Sequence, residues 1–303
     1  MWVWLLTQED QVMANIKAYM QLVKFRLTTT VVATSVFGYL LGCKWQAQPG
    51  SMGDFFQLKV FLGVLFGGLL VVFASNGFNQ LIEKEYDSKM TRTKGRPLVE
   101  ERLSENEARI FSLICGILGL VLMAFTTNFV ATLLSFISLV TYVFFYTPMK
   151  GKSPLAVMVG AIPGALPPLI GYTAVVGRID EVGVVLFLVQ FFWQFPHFWA
   201  IAWLLHDDYQ KAGYWLLPSV GGRDKKSAYQ VLIYTVVLIL SSMMPVFYGL
   251  AKPTCLTLVL PVGVFMLWQA FKLFRSLDVA DARRLLFTSF VYTPVVFIAY
   301  IVF

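Results

Sequence analysis

The chain of 303 residues is 58% hydrophobic and only 14% charged, with a mean hydropathy of +0.70. Soluble domains hold about 45–50% apolar and about 25% charged residues, so this composition excludes an ordinary water-soluble enzyme and requires a lipid bilayer around the chain. The net charge of +7 suits the basic bias of cytoplasmic loops, and no nucleic-acid partner is expected from it.

Met1 to Asp10 carries a short apolar patch with no basic residue ahead of it and does not read as a cleaved signal peptide. Residues 1–22 are expected to form a cytoplasmic segment, followed by one transmembrane domain over 23–303. Hydrophobic runs predict nine helices, at 23–42, 58–82, 109–126, 129–147, 154–176, 182–205, 228–249, 253–274 and 284–302. Most runs are about 18–24 residues long, enough at about 1.5 Å per residue to cross about 30 Å of hydrocarbon. The expected fold class is all-α, a polytopic bundle of about nine transmembrane helices with a central cavity open to the cytoplasmic side. With alternating spans, 20 of the 24 Lys and Arg residues lie on the side of the N-terminus. The positive-inside rule then predicts a cytoplasmic (inner) membrane protein with its N-terminus in the cytoplasm and its C-terminus outside.

Along the chain, the first unusual group of residues closes the second run. Asn79, Glu83 and Asp87 are spaced by four, so each is turned by about 40° and raised by about 6 Å from the one before, forming one stripe of oxygen donors on a helix. Asn76 and Gln80 extend that polar face into the apolar run, where unpaired polar groups are costly. Hard Mg²⁺ prefers such oxygens and commonly shares them with substrate phosphates. The following loop carries Lys89, Arg92, Lys94 and Arg96, suited to neutralising and gripping phosphate oxygens. The fifth run holds Gly160, Pro163, Gly164, Pro167, Pro168 and Gly171, and a kinked or broken helix is expected there.

In the sixth run, Gln190, Gln194 and His197 fall at i, i+4 and i+7, a polar face on a helix otherwise rich in Phe and Trp. His206, Asp207, Asp208, Tyr209 and Lys211 follow where the helix would leave the membrane, on the same side as Glu83 and Asp87. Two acidic clusters on one face can hold metal around one diphosphate. His197 and His206 are the only histidines and have no ligand-spaced partner, so no zinc site is expected. Cys43, Cys115 and Cys255 stand in or beside separate runs and read as packing residues.

These residues resemble the signatures of the UbiA-type intramembrane prenyltransferase superfamily, and in particular its heme-farnesylating branch. The first is Asn79, Glu83 and Asp87 followed by Met90, Arg92, Thr93, Arg96, Pro97 and Leu98. The second is Tyr146-Thr147-Pro148 with Lys150, then the Gly160 to Gly171 segment. The third is Trp193-Gln194-Phe195-Pro196-His197-Phe198, continuing to Asp208-Tyr209 and Ala212-Gly213. A shorter match, Lys24-Phe25-Arg26, opens the first span, and the likeness covers about 20 to 300. Gly151 departs from the pattern, since many members have a second basic residue beside Lys150.

The resemblance implies farnesyl diphosphate and heme b as substrates, with water added to complete a hydroxyethylfarnesyl group. It implies Mg²⁺ held by Asn79, Glu83, Asp87 and Asp208, with His197 also in the catalytic set. Lys24, Arg26, Arg92, Lys94, Arg96, Tyr146, Lys150, Gln194, His206, Asp207, Tyr209 and Lys211 are expected to contact substrate. Heme A synthase or terminal-oxidase assembly factors are the protein partners it suggests. Transfer to a quinone-precursor aromatic acid would use the same diphosphate site with another acceptor pocket. A secondary transporter for an anionic solute also accounts for polar spans and a broken helix, but predicts an inverted repeat that the motifs do not show.

Overall fold

The computed structural model describes residues 8–46 and 55–303, so the reading of Met1 to Asp10 falls largely outside it. The described residues form helices α1 (Gln8–Leu22), α2 (Phe25–Gln46), α3 (Leu58–Lys89), α4 (Glu105–Thr126), α5 (Phe129–Met149), α6 (Ala156–Val176), α7 (Glu181–Leu204), α8 (His206–Lys211), α9 (Lys225–Phe247), α10 (Pro253–Ser276) and α11 (Val279–Val302), with no strand among them. Eight of these, α3 to α7 and α9 to α11, are long and apolar enough to cross a membrane. The chain is a multi-pass, all-helical membrane protein. The expected first span corresponds to α2, whose 22 residues are long enough. It falls outside the set of eight because Thr28, Thr29, Thr30, Thr34, Ser35 and Lys44 dilute its apolar residues.

Helix starts are set by short polar side chains that accept hydrogen bonds from otherwise unpaired backbone N–H groups. Ser104 and Glu107 form a reciprocal capping box on α4, and Asn128, Asp180, Asp224 and Asp278 cap α5, α7, α9 and α11. Two helices contain a wider turn, at Gly63–Gly67 in α3 and Thr141–Tyr146 in α5. Such single-turn widenings often accompany functional sites, and the second carries two tyrosines that reach the cavity described below.

The fifth predicted run is not broken: α6 is helical from Ala156 to Val176, with Pro163, Pro167 and Pro168 inside it. A neighbour supplies one of the bonds that the prolines remove. Pro167 has no N–H for the carbonyl of Pro163, and Ser138 of α5 donates its hydroxyl to that oxygen instead, at 3.2 Å. Gln194 of α7 donates to Ala161 O at 2.9 Å, in a space that Gly164 leaves open. The glycines serve close packing of α2 on α6. A Cβ on Gly171 would stand 1.8 Å from Ser35 O, and one on Gly38 would stand 2.0 Å from Pro168 O. This backbone contact holds α2 in the bundle despite its modest apolarity.

Gly171→Ala should therefore force the two backbones apart and destabilise the protein by about 1–3 kcal/mol, the range for overpacked cores. Gly68→Ala, whose Cβ would meet only Val32 carbons at 3.8 Å, should be neutral or slightly stabilising. Thermal unfolding of the two variants in detergent tests this, and equal shifts would remove the backbone contact as the reason for Gly171.

Candidate active site

Helix α3 turns Asn76, Asn79, Gln80, Glu83 and Asp87 into the protein, all buried. Their spacing of three or four places them on one face. Two of them anchor the backbone. Asn76 Nδ2 donates to Val23 O and Thr28 Oγ1, each at 3.1 Å, while Gln80 Nε2 donates to Gln21 O and Leu22 O at 2.8 and 2.9 Å. The carbonyls belong to the end of α1, where a helix leaves acceptors unpaired. At this joint Lys24 adopts a left-handed φ of +48°, and its ammonium donates to Asn79 Oδ1 at 2.6 Å. Asn79 Nδ2 donates in turn to Thr147 Oγ1 at 3.1 Å, so the amide is engaged at both ends.

Glu83 and Asp87 meet two further cations. Lys150 Nζ donates to Glu83 Oε1 at 2.7 Å and lies 4.5 Å from the centre of the Tyr146 ring. Arg96 donates to Asp87 Oδ2 and has the same NH1 3.7 Å from Glu83 Oε2. Burial works against the charge of Lys150, but the Glu83 carboxylate outweighs it and holds the ammonium well above its ordinary pKa. Gly151 beside it leaves room for Tyr86, whose hydroxyl lies 3.3 Å from where a Cβ would stand.

The basic loop after α3 is folded as a unit. Thr93 Oγ1 donates to Asp87 O at 2.8 Å, and Leu98 and Leu103 bury against Ala18 and Leu22 of α1. Asp208 accepts from the backbone N–H of Thr91 at 2.8 Å and of Arg92 at 3.1 Å, and Lys211 donates to Asp208 at 3.1 Å and to Thr91 Oγ1 at 2.8 Å. Burial would raise the Asp208 carboxyl, but these donors outweigh it and hold its pKa at about 2. Asp208 thus spends both oxygens on the loop that presents Arg92 and Arg96.

These charges sit at the polar end of a cavity of about 520 Å³ that continues between apolar walls. Of the expected site residues, Lys24, Glu83, Asp87, Arg92, Arg96, Tyr146, Lys150, Gln194, His197 and Tyr209 line it. Asn79 stands one bond behind Lys24, and Asp208 and Lys211 act through the loop. The other four candidates neither line the cavity nor support a residue that does. Arg26 and Lys94 are exposed, Asp207 pairs with Arg223 at 3.0 Å, and His206 packs against Gly222. Adjacent helical positions differ by about 100° in direction, so Asp207 and Asp208 cannot share one task. Sequence reasoning missed Tyr142 and Tyr214, which also line the cavity. The Tyr214 hydroxyl is buried without a partner, and its ring packs 5.1 Å from Tyr86 after the turn at Gly213, φ +74°. The Ala212-Gly213 pair was its only signal.

No group of three His, Cys, Asp or Glu side chains converges as a closed metal cage among the described residues. The donor set nonetheless fits Mg²⁺ shared with a diphosphate. Glu83 and Asp87 offer hard carboxylate oxygens, and Asp87 Oδ1 is buried with no hydrogen-bond partner among the described residues.

The model of the UbiA prenyltransferase family matches residues 31–292. The chain is 42% identical to a protoheme IX farnesyltransferase of Cytophaga hutchinsonii, covering 95% of this chain and 98% of that one. It is 40% identical to another of Flavobacterium johnsoniae, covering 94% and 93%. Among solved structures, its fold is similar to that of a digeranylgeranylglyceryl phosphate synthase, with a TM-score of 0.76 at 23% identity over 95% of this chain and 97% of that one. A UbiA homolog from Archaeoglobus fulgidus, solved with GPP and Mg²⁺, aligns with a TM-score of 0.65 at 14% identity over 93% and 99%. The chain belongs to the UbiA prenyltransferase family.

Proposed function

We propose that the protein transfers the farnesyl group of farnesyl diphosphate to a vinyl group of heme b, with addition of water, to give heme O and diphosphate. The observation that carries this reading is a half-buried group of three cations at the mouth of an apolar cavity, Lys24 on Asn79 and Arg96 and Lys150 on the buried carboxylates of Asp87 and Glu83. The heme acceptor is supported by near full-length relatives named protoheme IX farnesyltransferase. Family membership speaks against the secondary transporter.

In this mechanism the C1–O bond of farnesyl diphosphate breaks and its electron pair stays on the diphosphate. Lys24, Arg92, Arg96 and Lys150 stabilise the charge that grows there, more strongly in the transition state than before it. Bound Mg²⁺, held by Glu83 and Asp87 with Asn79 close by, would add positive charge beside the phosphate oxygens. Tyr142 and Tyr146 line the cavity, and aromatic rings there would favour the positive charge of the allylic cation. The apolar walls exclude water until the vinyl π pair has formed the new C–C bond. Water then adds to the resulting cation beside the porphyrin and releases a proton. Asp208 orders the basic loop rather than touching substrate.

The N-terminus is assigned to the cytoplasm and the C-terminus to the outside of the cytoplasmic membrane, counting α2 as a span and following the 20 of 24 basic residues on one side. The charged end of the cavity then opens toward the cytoplasm, where a soluble diphosphate is released.

Purified protein given heme b, farnesyl diphosphate and Mg²⁺ should yield a porphyrin heavier by farnesyl plus water, and mass spectrometry that finds only heme b would refute the reading. Chelation of divalent ions should stop turnover and added Mg²⁺ should restore it; turnover in full chelator would remove the metal from the mechanism. Asp87→Asn should lower kcat by about a hundredfold or more while the variant still folds. Asp208→Ala loses the two backbone hydrogen bonds that hold the loop, about 1.5–3 kcal/mol each, together with the contact from Lys211, and should raise KM for farnesyl diphosphate at least about tenfold with a smaller change in kcat. A fall in kcat alone would instead make Asp208 a direct participant.

A further inference from the structure

We propose that the cleft between the cytoplasmic ends of α10 and α11 binds an anionic phospholipid, whose phosphodiester is held by Lys272, Arg275 and Arg284 and whose acyl chains lie along the exposed apolar faces of the same two helices. The site is on the periphery of the bundle and is independent of the transfer reaction. It takes from the proposed orientation only that this turn meets the inner leaflet.

The cleft has a volume of about 380 Å³ and is lined by these three cations and one carboxylate, Asp281. Three positive charges against one negative leave an excess of two. Asp281 is buried and accepts from Ser276 Oγ at 2.7 Å and from Arg284 NH1 at 2.8 Å, so both its oxygens are spent within the protein. Lys272 and Arg275 have no ion-pair partner among the described residues, and Arg284 keeps most of its guanidinium donors free. Cations elsewhere on this side are matched more evenly: Lys84 pairs with Glu105, Arg102 with Glu100 and Arg223 with Asp207. An ammonium flanked by two guanidinium forks suits the oxygens of a phosphodiester.

The turn that forms the cleft is tied in place. Leu277 takes a left-handed φ of +57°, the N–H of Asp278 donates to Ser276 Oγ at 3.1 Å, and the Asp278 side chain caps α11. The Lys272 ammonium lies 5.3 Å from the centre of the Trp268 ring, within reach of a cation–π contact, and Trp268 stacks on Phe271 at 6.1 Å. Lys272 and Arg284 are thus placed before any ligand arrives, which lowers the ordering cost of binding.

The surface beyond the cations identifies the occupant. On α10, Arg275, Phe271, Trp268 and Val264 follow one another at spacings of three or four, and on α11 Arg284, Phe287 and Val291 do the same. All are exposed, so each stripe passes from a cation at the turn to apolar side chains at depth. From Arg275 to Val264 is about 16 Å along the helix axis, roughly the thickness of one hydrocarbon leaflet. Trp268 falls between, where indoles commonly mark the headgroup level. A soluble anion would use the cations and leave the stripes idle, whereas a phospholipid uses both, as in other basic clefts between transmembrane helices. Thr293 and Pro294, farther along α11, line the central cavity, so lipid held here braces one of its walls.

Native mass spectrometry of the protein in neutral detergent, titrated with phosphatidylglycerol or phosphatidylcholine, tests this. The wild type should retain one phosphatidylglycerol at least about tenfold more tightly than phosphatidylcholine. Lys272→Gln/Arg275→Gln, whose native side chains make no hydrogen bond among the described residues, should lose at least about tenfold of that affinity. Arg109→Gln/Lys152→Gln, which removes equal charge from α4 and from the turn after α5, should keep it. Phosphatidylglycerol should raise the thermal midpoint of the wild type and not that of the first double variant, and millimolar inorganic phosphate should raise neither. Phosphatidylglycerol with brominated acyl chains, a contact quencher of indole emission, should quench the wild type more than Trp268→Phe. Equal loss of affinity in the two double variants overturns the site in favour of general surface charge. Stabilisation by inorganic phosphate equal to that by phosphatidylglycerol overturns the lipid in favour of a soluble anion, and equal quenching of wild type and Trp268→Phe overturns the placing of the acyl chains.

Discussion

Buried charge is the constraint on which the site depends. Moving an ion out of water costs several kcal/mol even after relaxation, and a lone carboxylate at this depth would not persist ionised. Glu83 and Asp87 are tolerable in the bundle because Lys150 and Arg96 arrive within ion-pair distance. Lys24 reaches the same place through Asn79. Each partner comes from a different segment: the joint before α2, the helix α3, the loop after it and the end of α5. The site therefore exists only when those four segments are assembled, and this explains why so many hydrogen bonds around it serve only to hold backbone.

The rest of the fold can be understood as support for that meeting. Asn76 and Gln80 close the end of α1 so that Lys24 can take its left-handed turn. Asp208 and Lys211, from the far side of the bundle, clasp the loop that carries Arg96. Ser138 replaces the hydrogen bond that Pro167 withholds from Pro163 O, Gln194 ties α7 to α6 at Ala161 O, and Gly171 of α6 with Gly38 of α2 lets these two helices approach closely. In a bilayer, apolar contact between helices gives little net gain over contact with lipid, so close backbone approach and internal polar bonds carry more of the cohesion.

Much of this was legible in the residues. Helix type and the places of eight spans among the described residues follow from hydrophobic runs, and the four-residue spacing of Asn79, Glu83 and Asp87 correctly puts them on one face. The basic residues of the next loop were readable by their chemistry as company for the acids, and Arg96 does pair with Asp87, whereas Lys150 was marked only by the family resemblance. What was not legible is which polar groups would be consumed internally. Nothing in the spacing of Asp208 shows that both its oxygens would go to backbone N–H groups, because that depends on a loop more than a hundred residues earlier. Pro163, Pro167 and Pro168 signal a broken helix by local rules, and only tertiary donors reverse that outcome. Tyr214 carries no motif; its place on the cavity arises from contacts across helices.

The interlocked ions also bear on how a turnover ends. A diphosphate departing from bare lysines and arginines would strand positive charge in a medium that cannot solvate it, and the anion would be held back. Here Glu83 and Asp87 pair with Lys150 and Arg96, so two of the three clustered cations carry an internal counter-charge while Lys24 rests on Asn79. Internal carboxylates of this kind act as a resident counter-anion that competes with the leaving group, trading some tightness of substrate capture for rapid clearance of product.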